Sequence, residues 1–177
     1  VEAAASAAST TKSISPAELI HVCFCWDDRG GKPHNMQPLV VAINSTMTNT
    51  ADGARVEFHI ITTRSASGIM RGVLASRLPS ARIRFHFNQK LEDRINALID
   101  FKEDSGARKS LASIFNFAPF YMDSFFYPKG FVADKGIRRV IYLDADIVVV
   151  GDIRELYQVD LHGKPVAAVQ DCSQVFE

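Results

Sequence analysis

The run Arg139-Val-Ile-Tyr-Leu-Asp-Ala-Asp-Ile-Val-Val-Val150 narrows the folds open to this chain more than any other stretch. Val140 to Leu143 are near-continuously apolar and favour extended backbone, the pattern of a strand covered on both faces, as in a parallel sheet. Asp144 and Asp146 then place two carboxylates where that strand should leave the sheet, the edge at which open α/β sheets bind ligands. In an extended chain such residues point the same way, roughly 6.6–7 Å apart at Cα. A hard divalent cation can take both, directly or through water. Two solvated turn aspartates are the plainer alternative, because turns favour Asp. The apolar runs on either side count against it, since they would bury a turn carrying two like charges with no counter-ion.

The rest of the chain alternates strand and helix patterns. Ile20 to Trp26 reads as a first strand, broken by the turn cluster Asp27-Asp28-Arg29-Gly30-Gly31. Met36, Leu39, Val40, Ile43 and Met47 give a helix from about His34 to Thr48. Strand, polar turn and helix in that order open a nucleotide-binding α/β unit, and Asp27 and Asp28 sit where a base or ribose would be held; as turn formers and helix-start charges they are equally well explained. Arg55 to Ile61 and Arg82 to Phe87 are the second and third strands. Ser65 to Leu78 and Leu91 to Phe101 are helices. His59 and His86 alternate with apolar neighbours and read as strand-face residues rather than metal ligands. Ser110 to Phe126 holds five of the chain's 12 phenylalanines and reads as a core-packing helix, tolerable if Asn116 caps it and Pro119 falls in its first turn. Gly151 to Leu156 is a turn and short helix, and Lys164 to Val169 a further strand. The class is α/β, with residues 1–16 a disordered lead-in and 17–177 one domain.

Composition excludes several functions. Lys+Arg and Asp+Glu are both 20, so the net charge is zero, which argues against nucleic-acid binding. No run of apolar residues is long enough to span a bilayer, and the Ala/Ser-rich start lacks the basic and apolar regions of a signal peptide. Cys23, Cys25 and Cys172 form neither a disulfide framework nor a zinc pattern and read as small packing residues. Asn44-Ser45-Thr46 matches a glycosylation sequon but falls inside a helix pattern, so chance explains it.

Val140-Ile-Tyr-Leu-Asp-Ala-Asp-Ile-Val-Val-Val-Gly-Asp-Ile-Arg-Glu-Leu156, followed by Gly163-Lys-Pro-Val-Ala-Ala168, resembles the retaining glycosyltransferases of family 8, nearest the plant galacturonosyltransferase-like group. The resemblance runs from about Ile20 to the C-terminus. It implies a GT-A-type α/β fold with a mostly parallel sheet and flanking helices. It implies a UDP-sugar donor, a glycan or other acceptor, and transfer with retention. Asp144 and Asp146 match the family's Asp-x-Asp, which holds manganese or another divalent cation against the donor diphosphate. Ala145 matches the middle position, whose backbone lies against the nucleotide. Cys25, Trp26, Asp27 and Asp28 match the strand end that cradles uridine, and Asp171 matches a region near the acceptor. The plant members imply a Golgi or other secretory location.

Two departures stand out. Asn116-Phe-Ala-Pro119 puts proline where the family usually has an arginine facing the donor. The chain also reaches Glu177 without the family's late His-x-x-Gly-x-x-Lys-Pro-Trp-like motif; His162-Gly-Lys-Pro165 has the wrong spacing and reads as a turn. The expectation is therefore the nucleotide-sugar-binding part of a larger transferase. Two other readings compete. In a haloacid-dehalogenase-type phosphatase, Asp144 would be the nucleophile and Asp146 the acid/base, with magnesium. A non-catalytic nucleotide-sugar-binding protein would bind manganese and UDP without transferring a sugar.

Overall fold

A computed structural model describes residues 18–26, 36–98, 113–130 and 136–169. The expectations for residues 1–16, Asp27, Asp28, His34, Phe101, Asp171 and Cys172 fall outside them. Four strands, β1 (Ile20–Cys25), β2 (Val56–Ile61), β3 (Arg82–His86) and β4 (Ile141–Tyr142), form one sheet in the order β3-β2-β1-β4. Every pairing is parallel. The order runs outward from β1 to β3 and then returns to the other side of β1. It therefore reverses between β1 and β4, the topological switch point at which such sheets leave a crevice beyond their strand ends.

Period-two alternation sends each strand's residues to two different cores. Ile20, Val22, Phe24, Val56, Phe58, Ile60 and Ile141 face one side. There they meet α1 (Gln37–Asn49) and α2 (Arg64–Arg77) through Leu39, Ile43, Met70 and Leu74. Cys23 and Ile61 face the other side, against Leu91 and Ile95 of α3 (Gln89–Leu98) and Phe125 of α4 (Met122–Phe126). Right-handed crossovers require this split: the connections β1 to β2 and β2 to β3 move one way, while the return to β4 moves the other and must cross the opposite face.

Local chemistry sets the helix ends. Thr63 caps α2 by accepting from the Ala66 N–H at 3.1 Å. The Asn88 side chain accepts from Leu91 N at 3.2 Å at the start of α3, and the buried Glu92 accepts from Asn88 N in return. Gly53 follows α1 where a Cβ would stand 2.2 Å from the Met47 carbonyl oxygen, so no larger residue fits without moving the backbone. Asp152 caps α5 (Ile153–Tyr157), accepting from Arg154 N at 3.0 Å and pairing with the Arg154 guanidinium. Asp152→Ala should cost about 1 kcal/mol of stability, read as a lower urea midpoint with an unchanged slope. The sequon lies within α1 as expected, with Asn44 exposed and Ser45 and Thr46 buried.

Three expectations need correction. The segment Ser110–Phe126 is not one helix. Its described part is two 3-10 turns, Ile114–Asn116 and Ala118–Tyr121, followed by α4. Pro119 does fall in a first turn, but Ser113 rather than Asn116 supplies the capping side chain, accepting from Phe115 N. Phe115 and Phe125 are buried as expected, while Phe120 is 80% exposed. Secondly, among the described residues Lys164 to Val169 joins no strand ladder, and Val169 is 93% exposed; the turn before it is real, with His162 and Gly163 both at positive φ.

Thirdly, the apolar run Ile147–Val150 does not enclose the aspartates. Among the described residues it pairs with no strand, and side chains of α1 take its backbone instead: Val149 N donates to Ser45 Oγ at 3.1 Å, and Asn49 Nδ2 donates to the Val149 carbonyl at 2.8 Å. Ile147 and Val149 pack on the core while Val148 and Val150 face solvent.

Candidate active site at the strand-order reversal

The ladder between β1 and β4 pairs Val22 with Ile141 and Cys23 with Tyr142, and Leu143 N donates to the Cys23 carbonyl at 2.9 Å. Continued two residues, that register sets Asp144 level with Cys25. Both stand at the carboxyl edge of the sheet, on the two strands flanking the reversal. Trp26 follows directly; its N–H is held by the Ile61 carbonyl at 2.9 Å, and its half-buried side chain packs on the larger core. Ala145 is half-buried on the same core. The structure thus brings Cys25, Trp26, Asp144 and Ala145 to one edge.

Asp144 and Asp146 lie in a turn and are exposed, not buried as the flanking apolar runs suggested. Tyr142 OH donates to Asp144 Oδ1 at 3.2 Å. Burial, with Cys25 and Asp144 nearby, drives the Tyr142 phenol well above its ordinary value, so it remains a proton donor and orients that carboxylate. Among the described residues Asp146 makes no hydrogen bond or ion pair. Two carboxylates with oxygens free to coordinate are the hard-donor set that a divalent cation requires, so these residues fit such an ion. Sequence reasoning missed the contact of Tyr142 with Asp144, although its position two before Asp144 on a strand was the available signal.

A second polar group lies on the α3/α4 face. His21, Glu57, His59, Arg84 and His86 all point there from three strands, because the parallel register pairs His21 with Glu57 and His59 with Arg84. His59 is fully buried, and its ring contacts those of His21, His86 and Phe126. Burial lowers His59 to about 2 and His86 to about 4, and it lowers His21 as well. His59 and His86 are strand-face residues as expected; the same expectation set both apart from metal ligands, whereas His59 stands in a group with ion-binding geometry. His21, Glu57 and His59 also form a group able to hold a metal ion.

Against this geometry stands one family match: a model described as Glycosyl transferase family 8 covers residues 31–177. The chain belongs to glycosyl transferase family 8. Among curated relatives it is 27% identical over 158 residues to "Probable galacturonosyltransferase-like 10" of Arabidopsis thaliana, covering 89% of this chain and 38% of that protein. It is 28% identical over 138 residues to "Probable galacturonosyltransferase-like 3" of the same plant, covering 77% and 36%. The family 8 chain thus spans well under half the length of these relatives. Among solved structures it resembles apo mouse Xyloside xylosyltransferase 1, with TM-score 0.50 and 18% identity over 78% of this chain and 46% of that one, a likeness of fold. The expected GT-A-type α/β class is borne out by the parallel sheet and its flanking helices. Family membership favours a glycosyltransferase over the phosphatase reading of Asp144 and Asp146. Among the described residues no helix is long and apolar enough to cross a membrane.

Proposed function

We propose that this chain forms the donor-binding part of a retaining, UDP-sugar-dependent glycosyltransferase that passes a hexosyl group to a glycan in the Golgi. One observation carries the reading: the ends of β1 and β4, with Cys25, Trp26 and Asp144, meet where the strand order reverses, and two exposed aspartates stand there with oxygens free to coordinate. Asp144 and Asp146 hold the cation, for which manganese is the choice, and Tyr142 fixes the angle of Asp144. Cys25 and Trp26 border the place for uridine, a role the family resemblance extends to Asp27 and Asp28, and the Ala145 backbone lies against the nucleotide. When bound, the cation stabilises the negative charge that grows on the departing diphosphate without needing a proton. The family's arginine has no counterpart at Pro119.

The test is calorimetric titration of the chain with UDP, with and without manganese. UDP uptake should require manganese, and Asp144→Asn or Asp146→Asn should weaken it by roughly tenfold or more, about 1.4 kcal/mol. Uptake indifferent to manganese, or untouched by both substitutions, would overturn the assignment.

A further inference from the structure

We infer that His21, Glu57 and His59 form a second metal site, selective for a zinc-class ion, that staples β1 to β2 on the α3/α4 face of the sheet. Three distances carry the inference. His21 Nδ1 stands 3.0 Å from His59 Nε2, and Glu57 Oε2 is 3.5 Å from each of them. An ion bound tetrahedrally at about 2.0–2.1 Å from each ligand atom would set those atoms roughly 3.3 Å apart. The observed triangle is within a few tenths of an ångström of that on every edge. Two imidazoles and one carboxylate are the borderline donor set that suits zinc rather than calcium or magnesium.

The surroundings orient all three ligands. His86 Nε2 lies 2.8 Å from His59 Nδ1, and the His86 ring also hydrogen-bonds the Phe125 carbonyl. A carbonyl only accepts, so the remaining His86 nitrogen carries the proton and Nε2 accepts from His59 Nδ1–H. That fixes the His59 tautomer and leaves the Nε2 lone pair aimed between His21 and Glu57. A ligating histidine whose other N–H is held in this way is the usual arrangement at metal centres. Arg84 binds Glu57 Oε1 at 2.8 Å and leaves Oε2 for the ion. His59 is closed off from solvent, whereas the His21 and Glu57 side chains keep 15% and 12% of their surface, so an ion can enter from that side and keep a water as a further ligand.

This site is separate from the aspartate pair. His21 precedes Cys25, the residue level with Asp144, by four positions, about 13 Å along the strand. It lies towards the start of the strands on a sheet face, away from the carboxyl edge. Its role is therefore structural: an ion there ties β1 to β2 directly and, through His86 and Phe125, ties the sheet to α4.

The experiment strips the purified chain with chelator and titrates zinc in competition with a chromophoric chelator, with cobalt as a spectroscopic probe. One equivalent should bind with micromolar or tighter affinity, raise the thermal midpoint, and give cobalt the intense visible bands of a low-coordinate site. The double variant Asp144→Asn, Asp146→Asn should keep that equivalent. His21→Ala and the shape-preserving Glu57→Gln should each weaken binding by roughly a hundredfold or more and abolish the zinc-dependent thermal shift. Because both altered side chains are partly solvated, circular dichroism of the metal-free variants checks that they fold. The inference is overturned if the folded wild-type chain binds no stoichiometric zinc, if Glu57→Gln binds zinc unchanged, or if the equivalent vanishes with the aspartates.

Discussion

Lowering the pH from 7 to 4.5 should cost the metal-free chain about 3–5 kcal/mol of folding stability through His59 and His86 alone. Burial holds His59 near 2 and His86 near 4 in the folded chain, against an ordinary 6.5. The unfolded chain therefore takes up protons that the folded chain refuses. The stabilising difference is fully present above pH ~6.5 and drains away as pH falls, towards 4 for His86 and towards 2 for His59. The groups facing these rings are His21, Glu57, Arg84, the Phe126 ring and the Phe125 carbonyl. Glu57 acts against the shift at His86, while Arg84 adds to it at both histidines. Against a typical total of about 5–15 kcal/mol, this loss is a substantial fraction of the chain's stability. Urea titrations in chelator at several pH values should show a midpoint that falls steadily below pH 6.5, and His86→Gln should flatten the slope. A midpoint level down to pH 5 would refute the expectation.

Phe58→Ala should be the most damaging single truncation outside that polar group, at about 3–5 kcal/mol. Phe58 is fully buried at the centre of the larger core and stacks on Phe24, with ring centroids 6.2 Å apart. Both rings are anchored to adjacent strands paired in register, Val22 with Phe58 and Phe24 with Ile60, so the backbone has little freedom to collapse into the space left behind. Phe120→Ala is the internal control: the same atoms are removed from a side chain 80% exposed, and the change should stay within about 0.5 kcal/mol. Equal costs for the two substitutions, measured by urea denaturation, would mean that the assigned core is wrong.

The alternation of strand and helix patterns was legible because period two and period 3.6 are written in neighbouring residues. So was the edge position of Asp144, which needs only a strand that ends. What was hidden depends on pairs far apart in the chain. Nothing in Ile147–Val150 says that its backbone will be taken by Ser45 and Asn49, about a hundred residues earlier, so an apolar run that looks like a strand is not one. The register of β1 against β2 is likewise absent from either strand alone. It sets His21 opposite Glu57 and Cys23 opposite His59, and thereby assembles a cluster from histidines that each look ordinary in isolation. Pro119 was visible as a helix breaker, but its effect, a chain of short 3-10 turns, follows from which phenylalanines find room beneath the sheet. The exposure of Asp144 and Asp146 was missed for the same reason as the unpaired run beside them.

The clamp on Val149 bears on how the aspartates are positioned. Upstream of them the chain is fastened to β1, and downstream it is fastened to α1. These two anchors are consecutive pieces of a single strand-helix unit, so the turn between them works as a short bridge with both footings on the same bank. The place of the two carboxylates is therefore set jointly by the sheet, through Cys23, and by α1, through Ser45 and Asn49.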